Sequence, residues 1–182
     1  MTQEIVCLDS KEVYRNRWMR VREDRVRRAS GAEGLFGIVE KNDYAAILAL
    51  DGDRIHLVSQ YRYPVGQRYW ELPQGMWEDL PDVDPCVLAA AELREETGYS
   101  AGRMQPIGKL FPAYGFCAQV CHVFVATELT AGERDLDPEE EGLESRWFTL
   151  AEMERMIIAG EIMDSSTIAA FALARAQGML PG

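Results

Sequence analysis

Residues 84–98, read as DPCVLAAAELREETG, constrain this chain more than any other stretch. Asp84 can cap a helix N-terminus, Pro85 suits the first helical position because it has no N–H to satisfy, and Gly98 tolerates the left-handed conformation that ends a helix. The residues between them have high helix preference, so the segment predicts a helix from Asp84 to Gly98. Glu92, Glu95 and Glu96 are spaced i, i+3 and i+4, which puts three carboxylates on one face within one turn. Such like charges oppose each other by a few tenths of a kcal/mol per pair, roughly. Two readings stand on spacing alone: the wet face of a Glu-rich helix, or a cluster of hard oxygen ligands neutralised by Mg²⁺ or Mn²⁺.

The flanks read as strands. From Glu4 to about Glu40 the pattern is extended, with Trp18, Arg20 and Arg22 alternating against Met19, Val21 and Glu23, followed by LFGIVE. Tyr44 to Leu50 and Arg54 to Ser59 flank Asp-Gly-Asp, a strong hairpin signal that places both runs in one sheet. A Tyr/Arg/Pro stretch, QYRYPVGQRYWELPQG, and a Pro- and Asp-broken loop lead into the helix. Beyond it, strands are expected at about Arg103 to Phe111 and Val120 to Thr127, then an acidic loop, ERDLDPEEEGLE, and a short strand, SRWF. Helices at about Leu150 to Ala159 and Asp164 to Gln177 finish the chain, the second capped by Asp164. No internal repeat separates the chain into like units.

At 182 residues and 47% apolar content, the chain can bury a sizeable core without disulfides or a structural metal. No apolar run approaches the ~18 residues of a membrane span, and MTQEIVCLDSK has neither a signal-peptide core nor transit-peptide character, so the expectation is a cytoplasmic protein that does not enter membranes. Cys7, Cys86, Cys117 and Cys121 are too scattered for a disulfide framework and read as reduced thiols, most of them buried. Cys117, Cys121 and His122 make a poor zinc site, because four residues along a strand span about 13 Å. His56 reads as structural. Residues 1–28 hold eight basic and five acidic side chains within a chain of formal charge −11, so a basic arm joins an acidic body. Such a body repels a phosphate duplex, which argues against nucleic acid as a partner but leaves a small anion held through cations open.

Gly75 and AELREETGY (Ala91 to Tyr99) resemble the Nudix box, a loop-helix-loop in which Glu92, Leu93, Glu95, Glu96, Gly98 and Tyr99 fall on the family's positions. Ala91 stands where the box has arginine and Val83 where it has a loop glutamate, and Gly75 lies two residues farther from the helix than the pattern. The likeness continues through SQYRYPVGQRYWELPQG, LFPAYGFCAQVCHVFVATEL, the acidic loop before SRWFTLAEM, and GEIMDSSTIAAFAL, all similar to the ADP-ribose pyrophosphatase branch. The resemblance implies an α+β Nudix fold, a mixed β-sheet sandwich flanked by helices. Residues 1–40 would form a β-rich arm that aids dimerisation and residues 41–182 the hydrolase domain. The implied function is Mg²⁺-dependent hydrolysis of a nucleoside diphosphate sugar, ADP-ribose first, to a nucleoside monophosphate and a sugar phosphate. Alternatives are another Nudix substrate, such as GDP-mannose, a dinucleoside polyphosphate or a nucleoside triphosphate, and a nucleotide-binding module that has lost turnover.

By the same resemblance, Glu92 and Glu96 would ligate the cations, Glu95 would be a ligand or share a bridging water, and the Gln74 carbonyl would add an oxygen, holding two ions about 3.5 to 4 Å apart. The general base would come from the acidic loop, where register against SRWF favours Glu141 and Glu139 over Glu140. A solvated charge run is the alternative for all three. Arg62, then Arg68, is expected to contact the pyrophosphate through its guanidinium fork, or else to be a surface arginine. Glu71 lies where the branch places an acidic residue near base or ribose, with a structural hydrogen bond as the other reading. Trp18 would either stack on the nucleobase from a partner subunit of a homodimer or pack in a core.

Overall fold

The computed structural model describes residues 4–77, 79–80, 82–136 and 138–181, with Glu139 described through its backbone. Strands β1 (Ile5–Arg15), β2 (Arg20–Arg28) and β3 (Glu33–Glu40) form an antiparallel sheet in that order. Its registry pairs opposite charges: Lys11 faces Glu23 and Arg20 faces Glu40, the cross-strand arrangement that stabilises a wet sheet. Asn16 makes the β1–β2 turn by accepting the N–H groups of Trp18 and Met19 at 2.9 and 2.8 Å, the usual reason for Asn in a turn.

The body is a mixed seven-stranded sheet. Strands β4 (Tyr44–Asp51), β5 (Arg54–Arg62), β8 (Tyr99–Leu110), β9 (Cys121–Ala131) and β10 (Glu144–Thr149) run in the order β10-β5-β4-β9-β8, with β6 (Gln67–Glu71) beside β5 and β7 (Gln74–Gly75) beside β4. The β4–β9 pair is parallel and the others are antiparallel. Helix α1 (Pro85–Thr97) covers one face, against Ala45, Ile47 and Ala49 of β4; α2 (Leu150–Ala159) and α3 (Ser165–Ala176) cover the other, against Ala46, Leu48 and Leu50. Burial on both faces explains why β4 reads as a continuous apolar run. This is the α+β arrangement expected for the fold, a mixed sheet sandwiched between helices, with a separate β-rich arm.

Helix α1 has the boundaries its ends encode. Asp84 accepts Cys86 N–H at 2.8 Å, and Gly98, at φ 78°, donates to Arg94 at 2.8 Å. The β4–β5 hairpin turns at Asp51-Gly52-Asp53 as read from the sequence. The short strands β6 and β7 inside the Tyr/Arg/Pro stretch were not expected, and β8 and β9 run several residues beyond the predicted limits. All four cysteines are free, but only Cys117 and Cys121 are buried, because Cys7 and Cys86 lie on wet surfaces of β1 and α1. No helix among the described residues is long and apolar enough to cross a membrane.

Candidate functional site

On α1 two of the three glutamates face inward. Glu92 and Glu96 are 5% and 1% exposed and share the buried side of the helix with Leu88, Ala89 and Leu93, the reverse of the usual amphipathic pattern. Gly75 makes room for this, since a Cβ there would overlap the Glu92 carboxylate. The backbone N–H of Gln74 donates to Glu96 Oε2 at 2.9 Å, while Glu96 Oε1 is buried with no hydrogen-bond partner among the described residues. Burial, then the like charges of Glu92 and Glu140, pushes the Glu96 carboxyl well above the usual carboxylate range, against the pull of the Gln74 N–H. Glu95 sits half-buried beside this pair, with Arg94 4.0 Å away.

Gln74 connects these carboxylates to a cleft. Its side-chain amide donates to Glu71 Oε2 at 3.0 Å and to Asp164 Oδ2 at 3.4 Å. Glu71 holds Arg62 in an ion pair, Nη2 to Oε1 2.7 Å, with a second bond from Nε at 3.0 Å. Burial raises the Glu71 carboxyl and the Arg62 charge opposes that rise. Two adjoining hollows share Arg62, Gln74 and Asp164. One, about 490 Å³, is walled by Pro64, Val65, Tyr69 and Met163; the other, about 290 Å³, by Lys41, Tyr44, Met76 and Gln119. The first has the apolar walls that suit a flat ring, and the residues shared by both supply the polar groups.

The predicted site residues thus separate into groups. Arg62, Glu71, Gln74, Glu92 and Glu96 are joined through Gln74 and Gly75. Arg68 instead donates to the Ser59 carbonyl at 3.3 Å and lies against Gly142, beside the acidic loop and outside the lining of both hollows. Trp18 is 39% exposed under the Arg17 guanidinium, in a separate hollow of about 360 Å³ between the β1–β2 turn and Glu40–Asn42, so it is not packed in a core. Within the acidic loop Glu141 is exposed, Glu140 is the glutamate whose charge acts on Glu96, and the Glu139 side chain lies outside the described residues.

Sequence reasoning assigned Asp164 only a capping role and passed over Lys41, Tyr44 and Gln119. The cap was the sole local signal for Asp164; its place in the cleft depends on a contact with Gln74, 90 residues away. Cys117 lies in the loop before β9, bridged to Val39, and no three His, Cys, Asp or Glu side chains among the described residues are gathered as a finished metal cage. Glu92, Glu96 and the Gln74 carbonyl would make a partial one. Its donors are hard oxygens, one buried carboxylate oxygen is orphaned, and a missing Cβ gives a second carboxylate its space, features that fit Mg²⁺ or Mn²⁺ rather than a soft metal.

Comparison with known proteins bears on the same segments. The profile of the family described as "NUDIX domain" matches residues 41–169, and that described as "Nucleoside diphosphate sugar hydrolase N-terminal domain" matches residues 5–39. The ADP-ribose pyrophosphatase of Mycobacterium tuberculosis (strain ATCC 25618 / H37Rv) is 35% identical over 164 residues, 89% of this chain and 79% of that protein. The ADP-ribose pyrophosphatase of Bacillus subtilis (strain 168) is 35% identical over 133 residues, 71% of this chain and 70% of that one. A crystal structure of an ADP compounds hydrolase superposes with a TM-score of 0.85 at 21% identity, covering 96% of this chain and 94% of that chain.

Proposed function

The chain belongs to the Nudix hydrolase family and carries the N-terminal domain of nucleoside diphosphate sugar hydrolases, and on that premise we propose that it hydrolyses the pyrophosphate of a nucleoside diphosphate sugar, with ADP-ribose the first candidate. The observation that carries this reading is the unpartnered, buried oxygen of Glu96, joined through one residue, Gln74, to the cleft that holds Arg62. Glu92, Glu96, Glu95 and the Gln74 carbonyl would hold Mg²⁺. When bound, the ion supplies charge neutralisation at the diphosphate and acidifies and orients the attacking water.

The chain's own residues do the rest. Arg62, pinned by Glu71, presents its remaining guanidinium donors to a phosphate oxygen without losing its orientation. Water attacks one phosphorus, the bridging P–O bond breaks, and the electron pair leaves with the other phosphate. A carboxylate of the 139–141 loop takes the water's proton. Register favours Glu141 and Glu139, and proximity to Glu96 favours Glu140. Glutamine at the residue that serves as base lowers kcat by about 10²–10⁴-fold with little change in KM; unchanged turnover in all three variants would remove the loop base.

The test is a panel of ADP-ribose, ADP-glucose, GDP-mannose, a dinucleoside polyphosphate and ATP, assayed for products with Mg²⁺, Mn²⁺ and chelator. The expected result is AMP and ribose phosphate from ADP-ribose, fastest with Mg²⁺ and abolished by chelation. A second reading, a nucleotide-binding module, is favoured by one observation: Ala91 stands where the box has arginine. Tight binding of ADP-ribose with no turnover of any member would establish it in place of the enzyme. We further propose that the protein is a cytoplasmic homodimer assembled through its N-terminal sheet.

A further inference from the structure

We propose that Asp164 is a specificity-determining residue whose Oδ1 accepts a hydrogen bond from a ribose hydroxyl adjoining the phosphate held at Arg62. The inference rests on the nucleotide-sugar reading above and adds a recognition contact to it. Asp164, Arg62 and Gln74 line both hollows, so Asp164 stands where the two meet. Its two oxygens have different surroundings. Oδ2 accepts the Thr167 N–H and the Thr167 hydroxyl, both at 2.8 Å, and the Gln74 amide at 3.4 Å. Oδ1 has no hydrogen bond among the described residues, so it is the oxygen available to a ligand in the hollows that Asp164 lines.

The carboxylate is held as a fixed acceptor. Thr167 is fully buried, and its hydroxyl also accepts the Leu72 N–H at 3.0 Å, which ties Asp164 to the turn between β6 and β7. Burial raises the pKa values of Tyr44, Glu71 and Cys121, and the nearby Asp164 charge adds a smaller push in the same direction. Capping α3 does not require an acid, because Ser, Thr and Asn cap equally well.

A carboxylate beside a phosphate site repels the phosphate itself, so its partner must be a hydrogen-bond donor attached close to that phosphate. In a nucleoside diphosphate sugar the nearest such donors are ribose hydroxyls. The amino group of a base lies farther along, and the apolar wall of Pro64, Val65, Tyr69 and Met163 suits the face of its ring. A site built to bond a hydroxyl discriminates strongly against an analogue that lacks it.

The experiment compares Asp164→Ser with wild type on ADP-ribose and on analogues with a single ribose hydroxyl replaced by hydrogen; serine keeps the cap and loses the reach into the cleft. The expected result is a fall in kcat/KM for ADP-ribose of roughly 10- to 100-fold, mainly through KM. For one deoxy analogue, already poor with wild type, the further loss on substitution is under about 2-fold. Asp164→Thr is measured alongside as a second, equally short capping variant and is expected to reproduce the same selective loss, which keeps the test decisive if the serine variant does not fold. If the parent and every deoxy analogue fall by the same factor, or none falls, Asp164 is only a cap and the proposal is overturned while the hydrolase reading stands. Wild type that turns over no nucleotide sugar would overturn both.

Discussion

A carboxylate that is 1% exposed, with one oxygen unpartnered among the described residues, destabilises the fold, and a bound cation would relieve it. Glu96→Gln therefore should melt at or above the wild-type temperature in chelator, while Mg²⁺, which stabilises the wild type by mass action, gives the variant little. Turnover should fall at least about 100-fold, since the loss acts on charge developing in the transition state. Thermal melts with and without Mg²⁺, beside kcat, check this; equal stabilisation of both proteins would mean that Glu96 is no ligand. His56 makes a different demand. Burial, aided by the Arg134 charge, lowers its pKa to about 4, among the edges of Tyr99 and Trp147 and with Nδ1 unpartnered. The unfolded imidazole takes up its proton near 6.5 and the folded one only near 4, so the stability held above about pH 6.5 is lost progressively down to about pH 4, by up to about 3 kcal/mol. In His56→Gln that loss should shrink, as denaturant titrations at pH 7 and pH 5 will read. From spacing alone Glu92, Glu95 and Glu96 could be grouped but not ranked. Their burial divides them, and it depends on Gly75 and Gln74, which lie on β7 directly against the helix.

Helix α1 was legible because every signal that defines it is local: a capping Asp, a first-turn Pro, a terminal Gly and carboxylates one turn apart. Strands β6 and β7 carry no such signal. They exist because partners on β5 and β4 are in place, Val58 opposite Glu71 and Ala46 opposite Gln74, and a two-residue strand has no periodicity to read. The same holds for the acidic loop, whose composition announced a charged segment but not where it is tied. Its ties include Gly132 N–H to the Gly98 carbonyl at 2.7 Å, Asp135 N–H to the Glu95 carbonyl at 3.3 Å, and Arg134 to the Leu143 carbonyl at 3.1 Å. The first two fix the start of the loop to the end of the carboxylate helix. Gly98 bears the strain of this join, with φ 78° and a Cβ position only 2.8 Å from the Gly132 oxygen. Gly98→Ala should cost roughly 2–3 kcal/mol, from the left-handed conformation and the overlap together. It should also lower kcat by more than the stability loss explains, because the loop glutamates lose their seat on α1. Urea denaturation and steady-state kinetics below the unfolding midpoint separate the two effects.

Across the whole molecule, the arm and the body differ in how they are held. The body buries two apolar clusters, one on each face of β4, whereas within residues 5–40 only Asp24 and Val26 are buried. A three-stranded sheet with so little interior is not stable by itself. It meets the body where Val39 N–H donates to the Phe116 carbonyl at 2.8 Å, beside the bridge from Val39 to Cys117. It also leaves Leu35 69% and Tyr14 55% exposed, with Val13, Ile5 and Val6 open on the outer strand. A second copy of the same sheet would supply the missing cover at no cost in new chemistry, and closed two-fold pairing is the commonest form of such assembly. Sedimentation at micromolar concentration should therefore give twice the 20.5 kDa chain mass, and a Leu35→Glu, Tyr14→Glu double variant should sediment as a monomer with the far-ultraviolet spectrum of the body intact. Lys41 lines both the Trp18 hollow and the polar lobe of the Arg62 cleft, so disturbing the arm should reach the site as well. The monomeric variant should show a raised KM for ADP-ribose with kcat less affected, since the carboxylates of α1 stay in place. A wild type that sediments as a monomer with an ordered arm would mean that this sheet draws its stability from its charge-paired registry and its joint with the body at Val39.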